Sequence, residues 1–170
     1  ERARHHAERV HALDPSHSGA SEFLIGYWER NDQPAAVVRL LEDRLDSLQV
    51  TSGAEALRTP AHERLAQHTS LLLRLADIRA NQLNDVDGAI LALELAQDET
   101  GPCATVAEPL ADLYERGGHT EKLLEIIRRG AEASEDPGER ANWYLQLGGK
   151  LCESGREREA EHAYRRVLQE

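Results

Sequence analysis

The stretch from Leu147 to Tyr164 (LGGKLCESGREREAEHAY) holds two helical patterns separated by a glycine turn. Between Arg156 and Leu168 the apolar residues recur at three- and four-residue spacing, which is the period of one helix face. Gly155 can adopt the positive φ that ends one helix and turns the chain into the next. The stretch therefore predicts a helix–turn–helix pair.

The same arrangement recurs along the chain. Equivalent leucines in the first helix of three successive pairs are offset by 35 and 37 residues: Leu75, Leu110 and Leu147. Equivalent positions in the second helix are offset by 34 and 37 residues: Ala89, Leu123 and Ala160. Strong helix formers dominate, and no alternating run is bounded by hairpin turns. The sequence predicts an all-α chain with a period of about 34–37 residues.

The breaks in the pattern predict a half repeat at residues 1–14 followed by four helix pairs. First helices are expected near 17–30, 60–82, 103–116 and 137–153, and second helices near 33–49, 86–98, 119–133 and 156–169. Positive-φ turns are expected at Asn31-Asp32, Asn84-Asp85, Gly117-Gly118 and Ser154-Gly155.

Prolines are expected at helix starts, where a missing N–H costs little: Pro15, Pro60, Pro102 and Pro137. Candidate N-caps precede three of them: Asp14, Thr59 and Asp136. Asp136 and Glu139 are also spaced as a capping box, in which Glu139 would reach back to the cap.

The repeat resembles the tetratricopeptide (TPR) pattern, in which Leu-Gly-x₂-Tyr is followed by Ala-x₃-Phe. The last repeat fits best, with Leu147-Gly148-x₂-Leu151 and Ala160-x₃-Tyr164, and the first, with Leu24-Ile25-x₂-Trp28, fits least. The resemblance implies a right-handed α-solenoid over residues 1–170, with repeats at about 15–50, 60–99, 102–134 and 137–170. A related right-handed solenoid of helical pairs is the alternative.

Two features depart from the family pattern. The step from Val37 to Ala89 is 52 residues, which places an insertion near residues 46–59, either a loop or extra helical turns. Pro109 lies inside a predicted helix, where it should remove a hydrogen bond and kink or shorten the helix.

The chain has 20 Lys and Arg against 31 Asp and Glu, a formal net charge of −11. Nucleic acid and anionic membrane are therefore unfavourable partners, whereas basic partners are permitted, although a solvated acidic surface would give the same charge. No apolar run approaches a membrane span. Two isolated cysteines indicate a reducing, cytoplasmic compartment. Met is absent, so a fragment of a longer protein is expected, and the Ala/Arg/Leu-rich composition favours a bacterial source.

The TPR resemblance implies a concave groove lined by the first helix of each pair. The residues expected in it are Glu22, Glu29, Arg30, Arg74, Asp77, Asn81, Glu108, Asp112, Glu115, Arg116, Asn142 and Glu153. Acids outnumber bases, which fits a basic or amphipathic peptide and equally an ordinary solvated face. Some members of the family clamp acidic chaperone tails with Lys and Asn; the corresponding places here carry mainly Glu, Asp, Leu and Gly, so that ligand is not expected.

No residue pattern predicts a cofactor, a metal or catalysis. The clustered His5, His6 and His11 lack a zinc spacing, as do His62 and His68, so surface histidines are expected. Cys103 near a helix start has no assignable base, and Cys152 is expected in packing or at the surface.

Two functions remain open from the sequence. One is a scaffold that binds a partner peptide or domain in the groove. The other is a self-assembling structural module of a larger protein, whose uncapped end helices would cover each other's apolar faces.

Overall fold

The computed structural model describes residues 2–15, 17–50, 60–101 and 103–169, except for the side chains of residues 49 and 50. Within these ranges the chain is all-α, with nine helices and no strands. The helices are α1 (Arg2–Leu13), α2 (Ser18–Arg30), α3 (Pro34–Val50), α4 (Ala61–Asn81), α5 (Val86–Thr100), α6 (Ala104–Arg116), α7 (Thr120–Ala133), α8 (Pro137–Glu153) and α9 (Glu157–Val167). The predicted helices are confirmed, with ends that differ by at most two residues.

The chain divides into two compact units, Glu1–Glu99 and Thr100–Glu170. In unit 1, α1 packs on α2, α2 on α3, and α3 on α4. In unit 2, α6 packs on α7, α7 on α8, and α8 on α9. The principal contacts in each unit therefore join helices that are neighbours in the sequence, as expected for stacked helical pairs.

One residue with positive φ ends the first helix of every pair or follows it closely. These residues are Asp32 (φ 52°), Asn84 (φ 53°), Gly118 (φ 70°) and Gly155 (φ 71°). The left-handed region is open to glycine and is tolerated best by Asn and Asp among the other residues. All four turns were predicted from these residue types, and the last three positive-φ residues keep the 34- and 37-residue spacing of the repeat.

The helix starts were predicted less well. Asp136 caps α8, since its Oδ2 accepts a hydrogen bond from the Glu139 amide at 2.8 Å. The Glu139 carboxylate, however, accepts from the Ser134 hydroxyl at 3.1 Å instead of reaching back to the cap. At α2 the prediction of Asp14 was wrong: the N-cap is His17, whose Nδ1 accepts from the Ala20 amide at 3.1 Å.

Of the prolines and caps predicted at α4 and α6, only Pro60 can be compared with the structure, and it directly precedes α4 as predicted. Thr59 and Pro102 lie outside the described residues, and Pro60 and Cys103 precede α4 and α6 without a side-chain cap.

The two departures from the repeat pattern have different outcomes. Helix α6 runs continuously through Pro109 to Arg116, so the proline does not end it. Helix α3 extends to Val50, so the first part of the predicted insertion is helical. Residues 51–59 of that insertion lie outside the described residues.

Small residues let the helices of unit 2 approach closely. A Cβ added to Gly148 in α8 would lie 2.5 Å from the Tyr164 ring in α9. A Cβ added to Gly130 in α7 would lie 2.8 Å from the Trp143 ring in α8. Gly148 is the small residue of the Leu-Gly motif, and its lack of a Cβ leaves room for the Tyr164 ring between the paired helices α8 and α9.

Leucines from both units form the most deeply buried part of the core: Leu24, Leu41, Leu93, Leu110, Leu124 and Leu151. Burying one such side chain stabilises the fold by about 1.5–3 kcal/mol. Trp143 and Tyr144 are neighbours on α8, and their adjacent positions predict that one packs while the other faces the groove. The prediction is wrong, because both side chains are buried. Tyr27 and Trp28 in α2 are half-buried.

Candidate functional site

The predicted groove residues lie on the first helices of the pairs, and all twelve are exposed. Six belong to unit 1: Glu22, Glu29 and Arg30 on α2, and Arg74, Asp77 and Asn81 on α4. Six belong to unit 2: Glu108, Asp112, Glu115 and Arg116 on α6, and Asn142 and Glu153 on α8.

In unit 1 an ion pair joins α2 to α4. The Arg74 guanidinium donates to the Glu29 carboxylate, and both side chains are exposed. The Asn81 side-chain amide donates to Asp77 Oδ1 at 2.8 Å within α4. The structure thus brings together two pairs of predicted residues on one face of unit 1.

A second ion pair holds α4 against α3. The part-buried Arg79 donates to Glu42 and also donates from Nη1 to the Gly88 carbonyl at 3.0 Å. Because Arg79 bonds to a side chain of α3 and to the backbone of α5, it ties three helices of unit 1. This arginine is structural and was not among the predicted groove residues.

In unit 2 a lysine joins α6 to α8. Lys150 Nζ donates to Glu115 Oε1 at 2.7 Å and to Glu153 Oε2 at 3.1 Å. Its side chain is 25% exposed, whereas the two carboxylates are 55% and 68% exposed. Hydrogen bonding to Glu115, followed by that to Glu153, raises the pKa of Lys150 above its ordinary value. Lys150 therefore brings predicted acids from two helices to one cation.

Sequence reasoning did not identify Lys150 as a member of this face. Two signals point to it: Lys150 lies 35 residues after Glu115, close to one repeat, and three residues before Glu153, close to one helical turn. The other predicted residues also lie exposed on the first helices: Glu22, Arg30, Glu108, Asp112, Arg116 and Asn142. Their common feature is exposure on a first helix.

The histidines differ from the expectation that all lie at the surface. His68 is buried in α4, and its Nδ1 lies 2.6 Å from Glu99 Oε2 in α5. His5 and His11 lie near carboxylates, at 3.9 Å from Glu8 and 3.4 Å from Asp43. Within the described ranges, no three His, Cys, Asp or Glu side chains form a group that could hold a metal ion.

The cysteines are unpaired thiols. Cys152 is exposed, and Cys103 is half-buried, with its sulfur 3.6 Å from the Thr100 hydroxyl. None of the helices in the described part of the chain is long and apolar enough to cross a membrane.

Comparison of the fold finds crystal structures that resemble this chain over most of its length. A structure of MamA matches with a TM-score of 0.61 and 16% identity, over 96% of this chain and 83% of that one. A second MamA structure matches with a TM-score of 0.60 and 16% identity, over 98% and 79%. A Podosopora anserina protein assigned as a kinesin light chain, with nearly identical TPR-like repeats, matches with a TM-score of 0.59 and 18% identity, over 95% and 80%.

Sequence comparison adds no relative: no protein-family profile and no curated protein matches the chain. At identities of 16–18% the structural likeness concerns the fold. It agrees with the helix pairs, the positive-φ turns and the glycine–aromatic contact. The chain has a TPR-like helical-repeat fold.

Proposed function

We propose that the chain is a non-catalytic scaffold that binds a partner protein on the exposed face of its first helices. The TPR-like fold supports a protein-interaction scaffold in general. The observation that carries the more specific proposal is the Lys150 contact to Glu115 and Glu153, because it gathers predicted residues of α6 and α8 on one face.

The surface formed by the predicted residues of α6 and α8 together with Lys150 is called the α6–α8 face. Its charge favours a basic or amphipathic partner. In unit 2 the predicted residues include four acids, Glu108, Asp112, Glu115 and Glu153, and one base, Arg116. Lys150 compensates only part of this charge. Exposed ion pairs contribute about 0.2–1 kcal/mol each, so a cationic side chain of a partner could replace Lys150 at little cost. Charge complementarity of this kind acts mainly on partner choice and association rate.

A charge-reversal experiment tests the proposal. A fluorescent amphipathic peptide of alternating Lys-rich and Leu-rich turns is titrated with the purified chain, and its anisotropy is measured at low and moderate salt. The variant carries Asp112→Lys and Glu115→Lys. The control carries Glu135→Lys and Glu157→Lys, which make the same change in net charge outside the α6–α8 face. Circular dichroism verifies that both variants are folded.

The expected result is salt-sensitive binding that is lost in the α6–α8 variant and retained in the control. Equal weakening by both variants would show that only net charge matters, and the face would then be an ordinary solvated surface. Turnover of a substrate by the purified chain would contradict the non-catalytic part of the proposal.

Self-assembly is the second candidate function. It is favoured by two exposed leucines, Leu13 at the end of α1 and Leu168 just after α9, each 87% exposed. Sedimentation over a range of concentrations would show a rising mass if these ends associate, and Leu13→Ser with Leu168→Ser should then restore the monomer. A constant monomer mass would remove this candidate.

The cytoplasmic and bacterial assignments stay predictions.

A further inference from the structure

A cavity of about 500 Å³ opens between α7, α8 and α9. Its floor is apolar and includes Tyr144, Leu147 and Leu151 of α8 together with Ala163 of α9. The volume falls within the roughly 300–1,000 Å³ range of clefts that bind ligands. An apolar floor below charged walls is the usual arrangement of a recognition site, in which the floor binds an apolar group and the walls orient it.

This cavity lies on a different face from the proposed scaffold surface. With a turn of 3.6 residues, the mean direction of Tyr144, Leu147 and Leu151 is roughly 150–170° away from Asn142 and Glu153 around the axis of α8. The group that occupies the cavity must therefore differ from the group that is bound on the α6–α8 face, whether it belongs to the same partner or to another one.

The walls carry more positive than negative charge, although the chain as a whole is strongly acidic. Arg128 of α7 and both Arg158 and Arg166 of α9 line the cavity, with His162 beside them. This concentration of guanidinium groups differs from the α6–α8 face, where carboxylates predominate.

Two carboxylates also line the cavity, and one of them is already compensated. Arg156 donates two hydrogen bonds of 2.7 Å to Glu159, one to each carboxylate oxygen. Hydrogen bonding to Arg156 lowers the pKa of Glu159, so this carboxylate remains ionised and paired. Glu132 is then the one acid that opposes the three wall arginines.

The wall arginines differ in how firmly they are held. Arg166 lies over the Tyr144 ring, 5.4 Å from its centroid, with Nη2 3.4 Å from the Tyr144 hydroxyl. Arg128 makes a loose hydrogen bond of 3.4 Å to Glu125, and its charge contributes, after that of Arg156, to lowering the pKa of Glu159. Arg158 has no ion pair among the described side chains. Arg128 and Arg158 can therefore turn toward an incoming anion at little cost.

We propose that this cavity binds an acidic segment of a partner protein, with one large apolar side chain in the cavity and flanking carboxylates on Arg128 and Arg158. The apolar floor accounts for the anchoring side chain, and the two weakly held guanidinium groups account for the carboxylates. Arginine is suited to this role because its planar group can bind a carboxylate through two parallel hydrogen bonds.

The test uses a short fluorescent peptide in which glutamates flank a central leucine–phenylalanine pair. One control peptide has lysines in place of the glutamates, and another has alanines in place of the apolar pair. The variant is Arg128→Glu with Arg158→Glu. The matched control is Arg129→Glu with Arg165→Glu, which makes the same charge change on the same two helices outside the cavity lining. Anisotropy gives the affinities, and sedimentation gives the mass.

The acidic, apolar peptide should bind, and the alanine control peptide should bind much more weakly. Any binding of the lysine peptide belongs to the acidic α6–α8 face and should not fall in the cavity variant. The cavity variant should lose about tenfold or more in affinity, while the control variant should lose far less. A loss of lysine-peptide affinity in the cavity variant as large as that of the acidic peptide, equal loss of the acidic peptide in both variants, or no binding of the acidic peptide would each overturn the proposal. Sedimentation could also overturn the proposal. If the chain forms a dimer that dissociates in the cavity variant and not in the control variant, a second copy of the chain occupies the cavity.

Discussion

Replacing Gly148 by alanine tests the close packing of α8 against α9. The added Cβ would lie 2.5, 2.7 and 2.8 Å from three carbons of the Tyr164 ring. Carbon atoms in contact normally stay about 3.5–4.0 Å apart, so the ring must move by roughly 1 Å. The neighbouring residue provides a matched control, because a Cβ added to Gly149 meets no atom within 4 Å.

Two opposing effects set the magnitude. Alanine is about 1 kcal/mol more favourable than glycine inside a helix, and this gain applies at both positions. Over-packing costs about 1–3 kcal/mol, and it applies only at Gly148. Gly149→Ala should therefore raise the free energy of unfolding, whereas Gly148→Ala should fall about 1–3 kcal/mol below that control. Tyr164 is 39% exposed, so movement of its ring into solvent sets the lower end of the range.

Urea unfolding followed by tryptophan fluorescence measures this difference. The chain has two tryptophans, so Trp28→Phe leaves the buried Trp143 of α8 as the reporter of unit 2. Tyr164→Ala serves as the second background, because removal of the ring should make Gly148→Ala stabilising. Equal stability of Gly148→Ala and Gly149→Ala in the presence of Tyr164 would refute the packing explanation.

Three other changes have outcomes that the structure sets. Lys150→Met should lower the free energy of unfolding by about 0.2–1 kcal/mol near neutral pH. Because the pKa of Lys150 is raised in the folded state, the stability that Lys150 contributes is complete below a pH of about 10.5 and disappears as the pH rises through the higher folded-state pKa. Urea denaturation at several pH values from neutral to strongly alkaline would follow this loss. Asp136→Ala should cost about 1 kcal/mol by removing the bond to the Glu139 amide, whereas Asp136→Asn should retain most of it, as urea midpoints would show. Pro109→Ala should stabilise unit 2 by about 1 kcal/mol or more, because it restores a backbone donor inside α6; an unchanged thermal midpoint would mean that the helix already accommodates the proline without cost.

The turns could be predicted from the sequence because few residue types tolerate positive φ. Asp32 and Gly155 stand between amphipathic segments, so their position and residue type both indicate a helix end. The start of α2 was less predictable. Asp14 is a better-known capping residue, but the chain runs on beyond it and the histidine ring of His17 supplies the acceptor. Because the link between α1 and α2 contains several polar residues, the sequence alone does not decide which of them caps α2.

The sequence predicted which residues are exposed on the first helices but not which of them contact one another. Helical period places Glu115 and Glu153 on exposed faces, yet the bridge through Lys150 depends on how closely α6 and α8 approach. The burial of both Trp143 and Tyr144 likewise depends on neighbours: Gly130 of α7 makes room for one ring, and Arg166 of α9 covers the other. Distances between helices are set by packing of the whole unit, which the repeat pattern alone does not contain.

The sequence-neighbour packing within each unit also has a consequence for the speed of folding. In unit 2, α6 meets α7, α7 meets α8, and α8 meets α9, so the principal contacts close short stretches of chain. Short loops lose little entropy when they close, and helical proteins rich in such local contacts fold in microseconds to milliseconds. Any adjacent pair can serve as a nucleus onto which the next helix is added. A polypeptide emerging from the ribosome can therefore bury each helix soon after its predecessor, without waiting for distant residues to be synthesised.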